Sequence, residues 1–576
     1  MPLVPGLPPL CYDGSMRWTN PLVITAALTA ACLVTGSGCP ASDDARIGGS
    51  SDVGEATTAE SDSTQTPTTG SADSSGGSST GAPMPMMIPA RGLQIDWVEA
   101  NQGVGVPIGE DGAWVGAQAR LARLLQNRVT LIRAFWTIDP DFEPREIEAH
   151  LLLEWPDGTT DRLVQTKLVD DDAFIGDLDR VFYWGIEAER VLPGLTYAIE
   201  LYEHDPAFAE GAPEAPPYFP AVEGEPVLVG IEDSYQRIKV TLVPFNYDDG
   251  ASCVTEPDTS DATMQLFRDL MTMMNPIDTL EFTLHESVDW NTPLENFGQL
   301  NSYLSDLRFE EGAVPEMYYY GLVDVCSGGL DDAGGQAFGI PEEPTVDLAY
   351  SRVSSGLSLD PPWSAETFVH EVGHSQGRRH VACEGEAGAD PSYPNPGGVV
   401  GEWGFGVIDF GLRHPTVNKD YMTYCHPVWV GTWGWNKVQP FVETLSMWDP
   451  NYPGNGAPGP DDPDDPYSGS LLVGTLGANG SEDWITVPGG LGALPASSTA
   501  IEFGLGDGTV AVRPASVRVL ADTRDVQIVA ALPDGFDQVT SLARLRDGAR
   551  QAIDRTAIRE RHLQRSVRRL PAVIRP

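Results

Sequence analysis

Three histidines and a glutamate stand close together in the segment ETFVHEVGHSQGRRH, residues 366–380. His370 and His374 are four residues apart, so on an α-helix they project from one face, a turn apart, and can bind the same metal ion. Glu371 directly follows His370. Its carboxylate can therefore reach a water molecule on that ion without being a ligand itself. This spacing indicates a metal site that activates water.

The helix must end soon after His374 if a third ligand is to reach the ion. Ser364 predicts the N-cap of a helix over residues 365–376, and Gly377 predicts its end, because glycine adopts the left-handed conformation at low cost. The chain then turns back and presents His380 as a third nitrogen ligand. Three neutral imidazoles with an open fourth position form a catalytic zinc site rather than a closed structural one.

These residues predict hydrolysis with one catalytic Zn²⁺ ion. Zinc polarises a water molecule and lowers its pKa towards about 7. Glu371 takes the proton as general base and later delivers it to the leaving group.

The segment HEVGHSQGRRH resembles the signature of the metzincin clan of zinc metallopeptidases, because it contains all five fixed residues of the pattern HExxHxxGxxH. Metzincins also carry a methionine turn beneath the zinc, and Met422 in KDYMTYC fits it. Tyr424 follows two residues later. The resemblance implies that Tyr424 binds zinc or stabilises the tetrahedral intermediate; a tyrosine that packs beside the turn is the alternative. Val381, after His380, matches no subfamily that we can name, so the resemblance implies the clan alone.

For residues 236–448 the resemblance implies an α/β (α+β) catalytic domain with a mostly parallel, twisted sheet above the zinc helix and an edge strand near 334–337. The activity it implies is that of a zinc metalloendopeptidase that cleaves peptide bonds in extracellular proteins. Two alternatives stay open. One is a surface-anchored binding or adhesion protein with a latent peptidase-like domain, against which the intact Glu371 argues. The other is a zinc hydrolase that acts on a cell-wall amide.

The whole chain of 576 residues is too long for one core, and its composition changes along its length. Short aromatic and β-branched segments with turn residues between them predict β domains on both sides of the catalytic domain. We predict these segments: a leader (1–39), a disordered Ser/Thr/Gly-rich tether (40–91), a β-sandwich (92–235), the zinc peptidase domain (236–448), a Pro/Asp linker (449–466), a small β module (467–535) and a basic tail (536–576). A calcium-binding loop is the alternative interpretation of the aspartates in the linker, but the prolines between them favour a stiff spacer.

The leader predicts export. An apolar run at 21–34 has the length of a signal-peptide core and is too short to span a bilayer. It precedes Cys39, which resembles the lipidated cysteine of bacterial lipoproteins, with Cys32 as a weaker candidate. Met16 is a more natural start than Met1. We therefore expect a cell-surface or outer-membrane lipoprotein, with plain secretion as the alternative.

Four cysteines fall in the folded part, where an oxidising compartment favours two disulfides. Sequence alone permits three pairings. We favour Cys253–Cys326 and Cys383–Cys425, because the second pair would join the segments on either side of the zinc site.

The formal net charge of −48 makes nucleic acid an improbable partner, because so acidic a surface repels phosphate. Solubility explains the charge; calcium binding by some of the carboxylates is the minority interpretation. We expect a monomer that meets protein or peptide substrates and contacts a membrane only through the lipid anchor.

Overall fold

The computed structural model describes residues 87–326, 329–330, 333–386, 388–453, 467–492, 497–520 and 522–559. The predicted leader with Cys39, nearly all of the tether, most of the Pro/Asp linker and the last arginines of the chain lie outside these residues. Within the described residues, none of the helices combines the length and the apolar character that a membrane span requires.

Two antiparallel sheets with a shared core form the first domain. Its strands are β1 (Ile88–Pro89), β2 (Leu93–Asn101), β3 (Gly105–Glu110), β4 (Ala113–Trp114), β5 (Leu124–Leu125), β6 (Thr130–Ile138), β7 (Arg145–Glu154), β8 (Thr160–Val169), β9 (Phe182–Ile186), β10 (Thr196–Glu203), β11 (Tyr218–Phe219), β12 (Val227–Leu228) and β13 (Ile231–Glu232). One sheet runs β4-β3-β2-β6-β9 and the other β1-β10-β7-β8. Apolar residues at every second position of β7, such as Ile147 and Leu151, enter the common core. This is a β-sandwich, and it begins slightly before the predicted boundary at 92.

A mostly parallel sheet lies at the centre of the second domain. Its strands are β14 (Arg237–Asp248), β15 (Val254–Thr255), β16 (Thr279–Leu284), β17 (Val288–Trp290), β18 (Tyr318–Val323), β19 (Gly335–Ala337) and β20 (Val353–Leu357). The order is β15-β14-β18-β20-β19, with β16 and β17 also paired to β14. All pairs are parallel except those of β15 and β19. β14 is buried without interruption over 238–245, as expected for a strand covered on both faces.

Four α-helices accompany this sheet: α1 (Asp261–Met274), α2 (Phe297–Glu310), α3 (Pro361–Ser375) and α4 (Thr432–Ser446). Short strand pairs follow α3: β21 (Gly404–Gly406) with β22 (Gly411–Arg413), and β23 (Lys419–Asp420) with β24 (Val428–Trp429). The Ser260 hydroxyl caps α1 by accepting from Thr263 N–H. Met264 and Met271 of α1 are buried core residues, and Phe267 stacks on Phe368 of α3.

The start of α3, the helix predicted to bind zinc, differs from the prediction. Pro361 and Pro362 open α3, because the fixed φ of proline suits the first helical turn and no N–H is needed there. The helix therefore begins before Ser364, so the prediction of Ser364 as the N-cap is wrong. The Ser364 hydroxyl instead accepts a hydrogen bond from Leu359 N–H at 2.8 Å.

The C-terminal module is an eight-stranded sheet that continues beyond the predicted end at 535. Its strands are β25 (Ser470–Leu476), β26 (Glu482–Pro488), β27 (Ala500–Leu505), β28 (Val510–Val519), β29 (Val526–Ala531), β30 (Val539–Arg546), β31 (Ala549–Ile553) and β32 (Ile558–Arg559), in the order β31-β30-β27-β28-β29-β25-β26-β32. The prediction of a basic tail that begins at 536 is therefore wrong for the residues up to Arg559. Apolar residues such as Leu542 and Ile553 enter the module's core, while Arg550 pairs on the surface with Glu502.

The three domains pack on one another. The C-terminal module adds Leu471, Val473 and Val529 to a cluster that includes Phe297 and Leu300 of α2. The β-sandwich meets the other side of the second domain, where the indole of Trp429 donates to Gly103 O at 2.9 Å.

Candidate metal centre

The three predicted histidines converge on one point. His370 and His374 project from the last turns of α3, and all three imidazoles are buried. Gly377 has a φ of +82° and ends the helix, and a Cβ there would lie 2.7 Å from Pro341 O, so only glycine fits. The Nε2 atoms of His374 and His380 are 3.2 Å apart. Two nitrogens bound tetrahedrally to one zinc ion at about 2.0–2.1 Å would be separated by about 3.3 Å.

Backbone carbonyls fix the orientation of two of the rings. His370 Nδ1 lies 2.7 Å from Tyr421 O, and His374 Nδ1 lies 2.7 Å from Arg378 O. A carbonyl only accepts, so each Nδ1 must carry the proton and each Nε2 presents a lone pair to the centre. Burial lowers the pKa of His374 to about 4, so this imidazole is neutral near pH 7.

The predicted methionine turn lies directly beneath the helix. Met422 is fully buried, and a Cβ on Gly373 of α3 would lie 2.7 Å from its sulfur. Asp420 accepts from Met422 N–H at 3.0 Å and forms a buried ion pair with Arg378 at 2.9 Å. Arg378, which is not a fixed residue of the motif, thus holds the turn against the end of the helix.

Both predicted disulfides are present: Cys253–Cys326 and Cys383–Cys425. The second joins the segment after His380 to the residue after Tyr424. Glu386 reinforces this connection, because its carboxylate accepts from the backbone N–H groups of Cys383, Glu384 and Tyr424.

Glu371 lies against the edge strand of the sheet. A Cβ on Gly335 of β19 would come within 2.8 Å of the Glu371 carboxylate, and the N–H of Ala337 hydrogen-bonds to that carboxylate. Burial, and then the nearby carboxylate of Asp522, raise the pKa of Glu371 well above its ordinary value. Glu371 Oε2 is buried and makes no hydrogen bond to the described residues.

The fourth position, predicted to be open, is taken by Asp522. Its Oδ1 lies 2.9 Å from His380 Nε2 and 3.3 Å from His370 Nε2, and its Oδ2 lies 3.3 Å from His374 Nε2. Asp522 belongs to the turn between β28 and β29, 142 residues beyond His380. No motif or spacing in the sequence points to it.

These four residues fit a zinc ion. One ligand atom from each of the three histidines and from Asp522 lies within 4.8 Å of the others. His370 Nε2 and Asp522 Oδ2 are buried and make no hydrogen bond to the described residues, which leaves their lone pairs free for an ion. A second group of Cys383, Glu386 and Cys425 does not fit a metal, because both thiols are used in the disulfide.

Tyr424 reaches the same centre. Its ring centroid lies 4.8 Å from that of His380, and its hydroxyl donates to Asp522 Oδ1 at 3.0 Å. The Tyr424 side chain is 50% exposed, so it retains room to move. Burial, and then Asp522, raise its pKa, which keeps the hydroxyl protonated.

A cavity of about 270 Å³ opens beside His370 and Glu371. Its wall is mixed, with apolar, hydroxyl and charged side chains, including Trp363, Val428, Thr367 and Glu366. On this wall, Glu366 pairs with His426 at 2.9 Å.

Comparison with known proteins adds no assignment. No protein-family model matches the chain, and no curated protein sequence does. Two solved structures of Bacteroides uniformis β-glucuronidase 2 align with 40% of this chain and 28% of their own: a calcium binding mutant (12% identity, TM-score 0.12) and the enzyme covalently bound to cyclophellitol-6-carboxylate aziridine (10% identity, TM-score 0.13). A TM-score this low supports no argument about fold or function.

Proposed function

We propose that this chain is a zinc-dependent endopeptidase. The observation that carries the proposal is the convergence of three imidazole Nε2 atoms beside the buried carboxylate of Glu371. His370, His374 and His380 would hold the ion. Zinc bound there supplies a Lewis acid and lowers the pKa of a water molecule.

The side chains around the ion have separate roles. Glu371 accepts the proton of the attacking water and transfers it to the leaving amine. The Tyr424 hydroxyl, once free of Asp522, donates a hydrogen bond to the oxygen that becomes negative during attack.

The edge strand favours a peptide over another amide as substrate. Among the described residues, β19 pairs along one side, with β20, and it passes within contact distance of Glu371. An extended peptide could add to such an edge and so bring a peptide bond to the base. The adjacent cavity would take one side chain of that peptide.

A closed structural zinc site is the competing interpretation, because four protein ligands surround the centre. Glu371 argues against it. A second buried carboxyl group beside a closed site costs desolvation and is not needed as a ligand, whereas a hydrolytic site needs it as a base.

We also propose that the enzyme works outside the cell and is anchored through Cys39. The two disulfides agree with an oxidising compartment. Mass spectrometry of the mature N-terminus tests the anchor, and a terminus without diacylglycerol would refute it.

Metal removal tests the proposed activity. The full chain and its Asp522→Ala variant should each contain one zinc per molecule, as measured by inductively coupled plasma mass spectrometry. Casein cleavage by the variant should stop with a chelator and return with Zn²⁺. Absence of zinc from both proteins, or cleavage that persists after zinc removal, would contradict the proposal.

A further inference from the structure

The Asp522 loop, our name for residues 522–525 of the turn between β28 and β29, enters the metal centre from a different domain. Its carboxylate contacts the Nε2 atoms of all three histidines and the Tyr424 hydroxyl. These are the groups that a water molecule and a polarised carbonyl would need during hydrolysis. The Asp522 side chain therefore takes the fourth metal position and also accepts the hydrogen bond of the Tyr424 hydroxyl.

The Asp522 loop is held in a defined conformation. Leu520 N–H donates to Asp525 O at 2.8 Å, and Asp525 N–H donates to Thr523 Oγ1 at 3.2 Å. Asp525 is fully buried, and its Oδ1 accepts from Ala478 N–H at 3.1 Å. These bonds close the loop on itself and fix it to the module, so that the Asp522 carboxylate is pre-positioned.

The same loop is attached to the edge strand beside the site. Gln336 of β19 donates to Thr523 Oγ1 at 2.7 Å and to Asp525 Oδ2 at 3.1 Å. Gln527 donates to Phe338 O at 2.7 Å. All of these side chains are buried. A peptide that approached the edge strand would meet the module already attached there.

We propose that the C-terminal module inhibits its own catalytic domain, with Asp522 as the inhibitory ligand that must leave before a substrate binds. This inference rests on the proposed zinc hydrolase. A carboxylate presented on the same chain has a high effective concentration, so a single ligand suffices to compete with water and substrate. The attachment uses hydrogen bonds around the loop, and the module must move away from β19 for the site to open.

The inference differs from a permanent structural role for Asp522. A structural ligand stabilises the bound metal, so its removal weakens zinc binding. An inhibitory ligand blocks the open position, so its removal exposes that position while three histidines keep the ion. The two roles predict opposite results for the same substitution.

The test compares zinc-loaded full chain with Asp522→Ala, Asp522→Asn and Gln336→Ala. Asp507→Ala is the matched control, because Asp507 lies in another turn of the same module, between β27 and β28. The probe is acetohydroxamate, a small zinc chelator that needs the fourth position, and calorimetry measures its affinity. Casein cleavage is measured in parallel on the same samples.

We expect Asp522→Ala and Asp522→Asn to keep one zinc and to bind acetohydroxamate at least about tenfold more tightly than the full chain, because a tethered competitor has been removed. Gln336→Ala should give a smaller gain, and Asp507→Ala none. Equal affinities in the full chain and in both Asp522 variants, or loss of zinc from them, would overturn the inference. A gain in acetohydroxamate affinity without casein cleavage would leave the inhibitory loop standing and contradict the endopeptidase.

Discussion

The side chains at the metal centre depend on partners that hold them in one state. Tyr421 O and Arg378 O fix the tautomers of His370 and His374, and burial keeps His374 neutral. Arg378 also pairs with Asp420, so one residue supports both a ligand and the methionine turn. We therefore expect the zinc affinity of the proposed site to depend on residues outside the ligand set.

Removal of the Tyr424 hydroxyl should reduce turnover without loss of metal. In the Asp522→Ala background, Tyr424→Phe is expected to lower kcat by about 10²-fold, the usual effect of one donor to a developing oxyanion. Zinc content should not change. Tyr393→Phe is the control, because its hydroxyl donates to Val399 O and does not line the cavity. An unchanged kcat in Tyr424→Phe would show that this tyrosine only packs beside the turn.

The sequence predicts most of this site and misses one residue of it. His370, Glu371, His374 and His380 are recognisable because helix geometry brings residues four apart onto one face. Asp522 escapes because its contact joins two domains across a long stretch of chain, and local spacing carries no signal for such a contact.

At the scale of elements, close packing between α3 and the methionine turn fixes the position of the histidines of α3 relative to that turn. Gly373→Ala should destabilise the fold by about 1–3 kcal/mol, because the new methyl group overlaps the Met422 sulfur and the Tyr421 ring. The gain in helix propensity from alanine, about 1 kcal/mol, is not expected to offset this overlap.

Urea denaturation measures this difference. Gly185→Ala is the control, because a Cβ there meets no atom within 4 Å. A Gly373→Ala protein as stable as the control would mean that the turn does not press on the helix.

The two disulfides, Cys253–Cys326 and Cys383–Cys425, enclose loops of 73 and 42 residues and should differ in their effect on the metal centre. Chain entropy predicts that loss of either bond destabilises the fold by about 4 kcal/mol. Only the double variant Cys383→Ser/Cys425→Ser should also weaken zinc binding, because this bond joins the segments that carry His380 and Tyr424.

Thermal denaturation and zinc competition with a chromogenic chelator separate the two effects. Cys253→Ser/Cys326→Ser serves as the matched comparison, since that bond joins neither the segment of His380 nor that of Tyr424. Equal zinc affinities in the two double variants would refute a role for Cys383–Cys425 at the centre.

Element prediction succeeded where periodicity was strong. The sandwich strands follow their aromatic and β-branched pattern. The C-terminal boundary failed because arginines dominate the composition after 536, although alternate apolar residues such as Leu542 already follow a strand pattern. The net charge of a segment reflects its exposed side chains and gives no information about whether the segment pairs in a sheet.

For the whole molecule, one buried arginine links the β-sandwich to the catalytic domain. Arg128 donates to Gln102 O in its own domain and to Met273 O and Ile277 O at the end of α1. It also stacks on Trp435.

Arg128→Met should therefore destabilise the fold by at least about 3 kcal/mol, because buried carbonyls lose their donor. Arg546→Met, at an exposed position, should change stability by no more than about 0.5 kcal/mol. Guanidinium denaturation of both variants provides the measurement. Similar stabilities would mean that the sandwich and the catalytic domain are not coupled through this side chain.

The central claim is that Glu371 acts as the base of a zinc hydrolase, and one comparison tests it most directly. Casein cleavage and zinc content are measured for Asp522→Ala and for Asp522→Ala/Glu371→Gln, since glutamine keeps the shape of the side chain and removes its basicity. We predict equal zinc in both proteins and a loss of about 10³-fold or more in kcat/KM with glutamine. Undiminished cleavage by the glutamine variant would contradict the mechanism.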